Sequence, residues 1–288
     1  MRIGIGLPNP VPDTPGVRLV EWARRAEDRG FAALATIDRV VFPSYDSLTA
    51  LAVAAGATSR IGLTTNILLA PVYQPLLLAK TAASLDQLSG GRLTLGLGVG
   101  GRPDDFAAVG RDPGTRGRDF DAGLDLMHRA WRGEPVAGGE EAVCPIPVND
   151  RRVPILVGGT SDAAIRRTVE WGAGWTIGGA PPEQAAPLAE RIRTAWRDAG
   201  RDGEPRLAAL TYFALGPDAE ADSWAYLRRY YGFTGEYAER IASGARRTEA
   251  AVADAVRAFS DAGFTELYFD PATADLDQVD RLADVVAP

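Results

Sequence analysis

Eight short apolar runs punctuate the chain, at 3–7, 32–37, 61–69, 93–97, 153–157, 174–177, 207–215 and 267–269. Each is too short for a typical helix. Several are rich in Ile, Val, Leu or Thr and bounded by Gly or Pro, the pattern of strands buried in a parallel sheet. Between them the apolar positions change to helical spacing. In 16–29, Leu19, Trp22, Ala23 and Ala26 share one face, while Arg18, Arg24, Arg25 and Asp28 lie largely on the other. Comparable periods predict helices over 46–58, 75–89, 116–132, 161–171, 182–199, 248–262 and 275–286.

Strands alternating with helices along the whole chain require parallel pairing through right-handed crossovers, and a count of eight favours closure. The expectation is an α/β fold, a (β/α)8 TIM barrel forming one domain over 1–288. Three stretches read as insertions into it, at about 102–115, 133–152 and 216–247. The last follows the seventh strand and carries Trp224, Tyr226, Tyr230, Tyr231, Phe233 and Tyr237. Its rings are expected over the barrel mouth, covering a planar cofactor or an apolar substrate. The alternative is a helix that packs them on the rim or in a dimer contact for stability.

Composition removes several classes of function. With 288 residues and 46% hydrophobic side chains, the chain can bury a large core. A formal charge of −7 supplies no basic field for nucleic acid or an anionic membrane surface. The opening residues do not read as a secretory leader, and no run approaches the roughly 18 apolar residues of a membrane span; a cytoplasmic protein is expected. Cys144, His128 and Lys80 are the single cysteine, histidine and lysine. They leave no internal disulfide, no histidine-based metal site and little equipment for Ser-His-Asp or Schiff-base chemistry. His128 falls mid-helix in the outer layer, away from any mouth.

Two glycine-rich turns carry the candidate chemistry. Residues 96–101 formally satisfy G-x-G-x-x-G, but Pro103, Asp104 and Asp105 follow at once and no helix is expected before about Arg116. The acid that should end a second strand in a dinucleotide fold is also missing, since Asp119 and Asp121 fall in a helix. On a barrel, Gly98, Val99, Gly100 and Gly101 end strand four, either as a tight turn or as backbone that lets N–H groups reach a cofactor. Gly158, Gly159, Thr160 and Ser161 lead from strand five into a helix. There the N–H groups, hydroxyls and helix dipole form an anion cradle, or the hydroxyls serve as an ordinary N-cap. Arg102, Asp104 and Asp105 read as substrate-facing groups or a solvated loop. Arg116 and Arg118 read more simply as partners of Asp112, Asp119 or Asp121.

The segments TTNILLAPVYQP (64–75), LAKTAASLDQLSGGR (78–92) and LGLGVGG (95–101) resemble the bacterial-luciferase-like, flavin-dependent monooxygenase and oxidoreductase family, and the likeness extends over most of the chain. The resemblance implies a strand-three bulge at Asn66 and Ile67, often with a non-prolyl cis peptide, against which a flavin or deazaflavin ring leans. It also implies cofactor contacts at Gly98 to Gly101 and a phosphate site at Gly158, Gly159, Thr160 and Ser161. Relatives often carry an acid or a histidine at the end of strand two; here Asp38 precedes Arg39 and the histidine is absent. Asp38 is therefore the candidate for proton transfer or for a hydrogen bond to the flavin edge, its alternative being to cap the turn and pair with Arg39.

The implied activity is oxygenation of a small organic substrate with O2 and reduced FMN supplied by a separate flavin reductase. Coenzyme F-420, with hydride transfer, is the alternative cofactor. A homodimer is expected by resemblance, and no metal. Two other classes remain: a non-catalytic flavin-binding barrel or partner subunit, and a phosphate-substrate isomerase or lyase for which the acid–base residues are lacking.

Overall fold

A computed structural model describes residues 1–136 and 138–286. All eight apolar runs are strands: β1 (Arg2–Gly6), β2 (Ala33–Thr36), β3 (Gly62–Leu69), β4 (Leu93–Gly98), β5 (Ile155–Gly158), β6 (Gly174–Gly178), β7 (Arg206–Phe213) and β8 (Glu266–Pro271). They pair in parallel in sequence order and close as a barrel, β8 returning to β1. The regular crossover helices are α1 (Gly16–Asp28), α2 (Ser47–Ala57), α3 (Pro75–Ser89), α5 (Arg116–Trp131), α6 (Asp162–Trp171), α7 (Pro182–Asp198), α10 (Glu249–Asp261) and α11 (Asp277–Val286). In α1 the face carrying Leu19, Trp22, Ala23 and Ala26 is the buried one, as its periodicity requires.

Two regions depart from the periodic reading. A short helix, α4 (Pro103–Ala108), opens directly after the strand-four turn, where no helix was expected before Arg116. Pro103 sits at the helix start, where its missing N–H costs nothing, and Asp104 and Asp105 suit the dipole of the first turn. At six residues it is too short to show an amphipathic period. The 216–247 stretch folds into α8 (Ala219–Tyr231) and α9 (Glu236–Ser243), joined by the 3-10 turn Gly232–Thr234. The 133–152 stretch, of which residue 137 lies outside the described part, crosses the opposite end of the barrel. There Val148 N–H donates to Asp86 (2.7 Å) and the Asn149 amide to Gly91 O (2.9 Å).

The charge pattern at the start of α5 also differs from expectation. Arg118 pairs with Asp119 at 3.6 Å, but Arg116 donates to Pro113 O and Asp121 is taken by Arg166 and Arg167.

The lumen is cross-linked by hydrogen bonds between strands that are not neighbours. Arg206 on β7 donates to Thr94 on β4 (3.1 Å), and the Thr64 hydroxyl on β3 meets Tyr268 OH on β8 at 3.2 Å. Arg206 also holds Glu266 through two hydrogen bonds of 2.6 and 3.0 Å, and Tyr268 OH donates to the same carboxylate. Burial alone would raise the Glu266 pKa; the guanidinium outweighs it and holds the group below its ordinary value. Two residues further along β8 each time, Tyr268 and then Asp270 face the same lumen. The Asp270 carboxyl occupies the place a Cβ at Gly6 would need, so β1 must be side-chain-free there. Asp270 Oδ1 has no hydrogen-bond partner among the described residues, and burial pushes its pKa up to about 8.

Two stability predictions follow from this layering. Glu266→Ala strands a guanidinium in the lumen and is expected to cost about 3–5 kcal/mol in urea denaturation; a cost under about 1 kcal/mol would show the pair to be dispensable. The Asp270 pKa is raised by folding, so its stabilising contribution is full at acid pH and is lost as pH rises towards about 8. Asp270→Asn removes that dependence: its Tm should exceed the parent's by an amount that grows with pH and levels off above about 8, while parallel profiles would refute the assignment.

Candidate functional site

A cavity of about 320 Å³ opens at the C-terminal ends of the strands, within the usual range for small-molecule sites. Ile37, Ile67, Leu69, Ile177 and Leu210 make much of its wall apolar, and the turns after β2, β4 and β5 bring in polar groups. Of the sequence candidates, Asp38, Asn66, Ile67, Gly101, Gly158, Gly159 and Thr160 lie on this wall. Gly98, Val99, Gly100 and Ser161 do not.

The floor is shaped by β3. Its register against β4 shifts between Thr65 and Leu68, and the Asn66–Ile67 peptide bond is cis. This bulge swings Ile67 over β4 and β5: a Cβ at Gly98 would overlap the Ile67 side chain, and one at Gly158 would lie 3.1 Å from it. Gly98 therefore lies beneath the Ile67 side chain, off the cavity wall. Asn66 points across the lumen, where Thr176 donates to its Oδ1 at 2.8 Å. That bond uses the amide's acceptor and leaves Nδ2 buried without a partner among the described residues. A donor fixed in this way at the edge of an apolar slot suits an acceptor atom of a planar heterocycle.

Asp38 stands at the end of β2, 6% exposed. It does not pair with Arg39. It accepts instead from Leu69 N–H (3.0 Å) and Tyr73 OH (3.0 and 3.1 Å), both brought to it by the end of β3. Burial raises its pKa to about 6, against the lowering effect of those two hydrogen bonds. Burial first, and then the Asp38 charge, raise the Tyr73 pKa, so the phenol stays a proton donor.

Arg39 turns the other way, to the fully buried Asp105 of α4, at 2.8 Å. The same carboxylate accepts from Val40 and Val41 N–H at 3.0 and 2.7 Å. The guanidinium carbon lies 5.3 Å from the ring centres of both Tyr230 and Phe233, so the α8–α9 insertion is stacked on this ion pair. Arg102, bonded to Asp104, covers Phe233 at 4.9 Å. The aromatic insertion divides its duties. Tyr226 is buried away from the cavity, whereas Tyr230, itself buried, and Tyr231, Phe233 and Tyr237 border it, with Tyr231 OH bonded to Tyr212 OH at 2.6 Å.

At the β5 turn, Ser161 spends its hydroxyl on the N-cap of α6, accepting from Ala164 N–H. The Thr160 hydroxyl makes no hydrogen bond among the described residues and lies on the cavity wall beside Gly159. An anionic group there meets Thr160 and turn N–H groups near a helix N-terminus, with Asp162 in the first turn as an opposing charge. His128 is buried between Trp131 and Trp171, remote from the cavity, its pKa lowered to about 4 by burial.

Reading the sequence missed Tyr73 and Thr176, and it singled out Arg39 and Asp105 without joining them to each other. Tyr73 lies inside the motif at 64–75, but nothing in the spacing shows that its hydroxyl reaches Asp38. Thr176 acts through a bond across the lumen that only the closed barrel creates.

The comparisons agree with this geometry. The family model described as luciferase-like monooxygenase matches residues 1–284. An uncharacterised protein of Mycobacterium tuberculosis is 33% identical over 195 residues, 64% of this chain and 67% of that protein. Among solved structures, an F-420-dependent secondary alcohol dehydrogenase in complex with an F-420–acetone adduct superposes with a TM-score of 0.82 at 19% identity, covering 99% of this chain and 98% of that one. The oxygenating constituent of 3,6-diketocamphane monooxygenase of Pseudomonas putida, in complex with FMN, gives 0.77 at 16% identity, covering 100% and 98%. Those two likenesses concern the fold; the match over nearly the whole length identifies the chain as an enzyme of the luciferase-like monooxygenase family.

Proposed function

We propose that this protein is a monooxygenase that uses reduced FMN, delivered by a separate flavin reductase, and O2 to oxidise a small, largely apolar organic substrate. The observation that carries the reading is the slot at the β3 bulge, where Ile67 provides a flat apolar bed and Asn66 Nδ2 an unused donor at its edge. The family description and the FMN-bound structural neighbour support FMN; the F-420-bound neighbour makes the deazaflavin the competing cofactor.

The residues present fit such a group. Ile67 and Ile37 would hold the ring, Asn66 would orient it, and Gly159 with Thr160 would receive the phosphate. When bound, the reduced flavin supplies the electrons that activate O2. The chain's own part is to position substrate against the ring, to exclude water beneath Tyr231, Phe233 and Tyr237, and to manage one proton at Asp38. With a pKa near 6, Asp38 is ionised at neutral pH yet basic enough to take a proton, and Tyr73 OH donates to whichever oxygen carries the charge.

Anaerobic titration with reduced FMN and with reduced F-420 tests the assignment. Tight, selective FMN binding followed by O2-dependent substrate oxidation supports it; selective F-420 binding makes the enzyme a hydride-transfer oxidoreductase, and binding of neither refutes the cofactor site. In the active enzyme, kcat is expected to fall as pH drops through about 6 and Asp38 protonates. Asp38→Asn should lower kcat by about 100-fold or more and abolish that acid limb. An unchanged limb in the variant would assign the ionisation to another group.

A further inference from the structure

A second cavity of about 250 Å³ adjoins the first at the ends of β6 and β7 and shares Leu210, Tyr212 and Ile241 with it as a common wall. Consecutive residues of the β6 turn divide between the two, Gly178 on the main cavity and Gly179 on the annex. The charged residues lining the annex are Arg240 and Arg246, with no acid among them. In a chain of net charge −7, such a pocket is not a by-product of overall charge.

Arg246 is the unusual member. Its backbone is locked by hydrogen bonds to both sides of β7's end, Arg246 N–H to Tyr212 O and Ala214 N–H to Arg246 O. Its half-buried side chain makes no ion pair, and Nε is buried without a partner among the described residues. Other buried or half-buried arginines have partners: Arg39, Arg167 and Arg206 each have a carboxylate oxygen within 2.6–2.8 Å, and Arg92 and Arg201 donate to backbone carbonyls. Glu183 and Asp254 act on Arg246 only through space, and burial prevails, lowering its pKa. A desolvated donor without an acceptor is destabilising unless a ligand completes it.

We propose that the annex is a substrate-anion subsite, in which Arg246, with Arg240 at the rim, receives a carboxylate tethered to an apolar body lying in the main cavity. The proposal rests on reading the main cavity as the reaction chamber and narrows its substrates to amphipathic anions. A guanidinium meets a carboxylate through paired charge-assisted hydrogen bonds, and the shared Leu210–Tyr212–Ile241 wall places that pair beside the chamber, not within it.

The test uses 4-phenylbutyrate and its neutral counterpart 4-phenylbutanamide, titrated calorimetrically without cofactor at low ionic strength. The unmodified protein should bind the anion about tenfold more tightly than the amide. Arg246→Gln should erase that preference while leaving amide binding intact, which also shows that the cavity survives. Arg228→Gln, at an exposed pair with Glu239, should retain it. Absence of a preference in the parent protein, or its persistence in Arg246→Gln, overturns the subsite. Reduced FMN affinity is measured in parallel: a tenfold loss in Arg246→Gln with the anion preference kept would give the arginine to the cofactor phosphate and equally overturn the proposal. The phenylbutyrate measurements contain no cofactor, so failure of the FMN assignment leaves their outcome readable.

Discussion

Packing of Ile67 into space that glycines leave open is the contact on which the barrel mouth depends. Gly96 and Gly98 on β4 and Gly158 on β5 present no Cβ to it, so the bulge of β3 can lean inward across two neighbouring strands. Three consequences share that origin. The floor of the cavity is apolar, Asn66 is turned to Thr176 across the lumen, and Leu69 N–H is brought to Asp38. A methyl group at Gly98 would overlap the tip of the Ile67 side chain and force it to repack on the cavity floor.

The lumen divides into a satisfied end and an unsatisfied one. Around Arg206, Glu266, Tyr268 and Thr94 every charge has its partner, which is where a barrel keeps its stability. Towards the C-terminal ends, Asn66 Nδ2, Asp270 Oδ1 and Tyr226 OH are buried without partners among the described residues. Unpartnered buried atoms also occur away from the cavity, at Trp22, Asp86 and His128, so of these groups it is the Asn66 donor, on the cavity wall, that bears on ligand binding.

Much of this was legible from the chain. Strands and crossover helices declare themselves by period, because each buries one face or both, and the barrel follows from their count and alternation. The turn at Gly158 to Thr160 and the pair Asn66–Ile67 could be singled out from the family resemblance. What stayed hidden depends on closure. Asp105 read as a substrate-facing group or a solvated-loop acid, yet it is fully buried and paired with Arg39, 66 residues earlier in the chain, a contact that only the fold creates. In the block at 78–92, one of the three segments that carry the family resemblance, Arg92 is structural: it donates to the carbonyls of Ala55, Thr58, Ile61 and Ser89 at the end away from the cavity. Within the Gly98–Gly101 turn, Gly98 lies against Ile67 and Gly101 reaches the cavity wall.

The Arg39–Asp105 pair joins parts of the chain that lie far apart in sequence: the loop after β2, the helix after β4 and, through Tyr230 and Phe233, the insertion after β7. These segments form the cavity roof as a single riveted plate. Divergence of the roof is thereby constrained, since an altered insertion inherits the rivet and must keep a ring above it, or lose its hold on the other two segments.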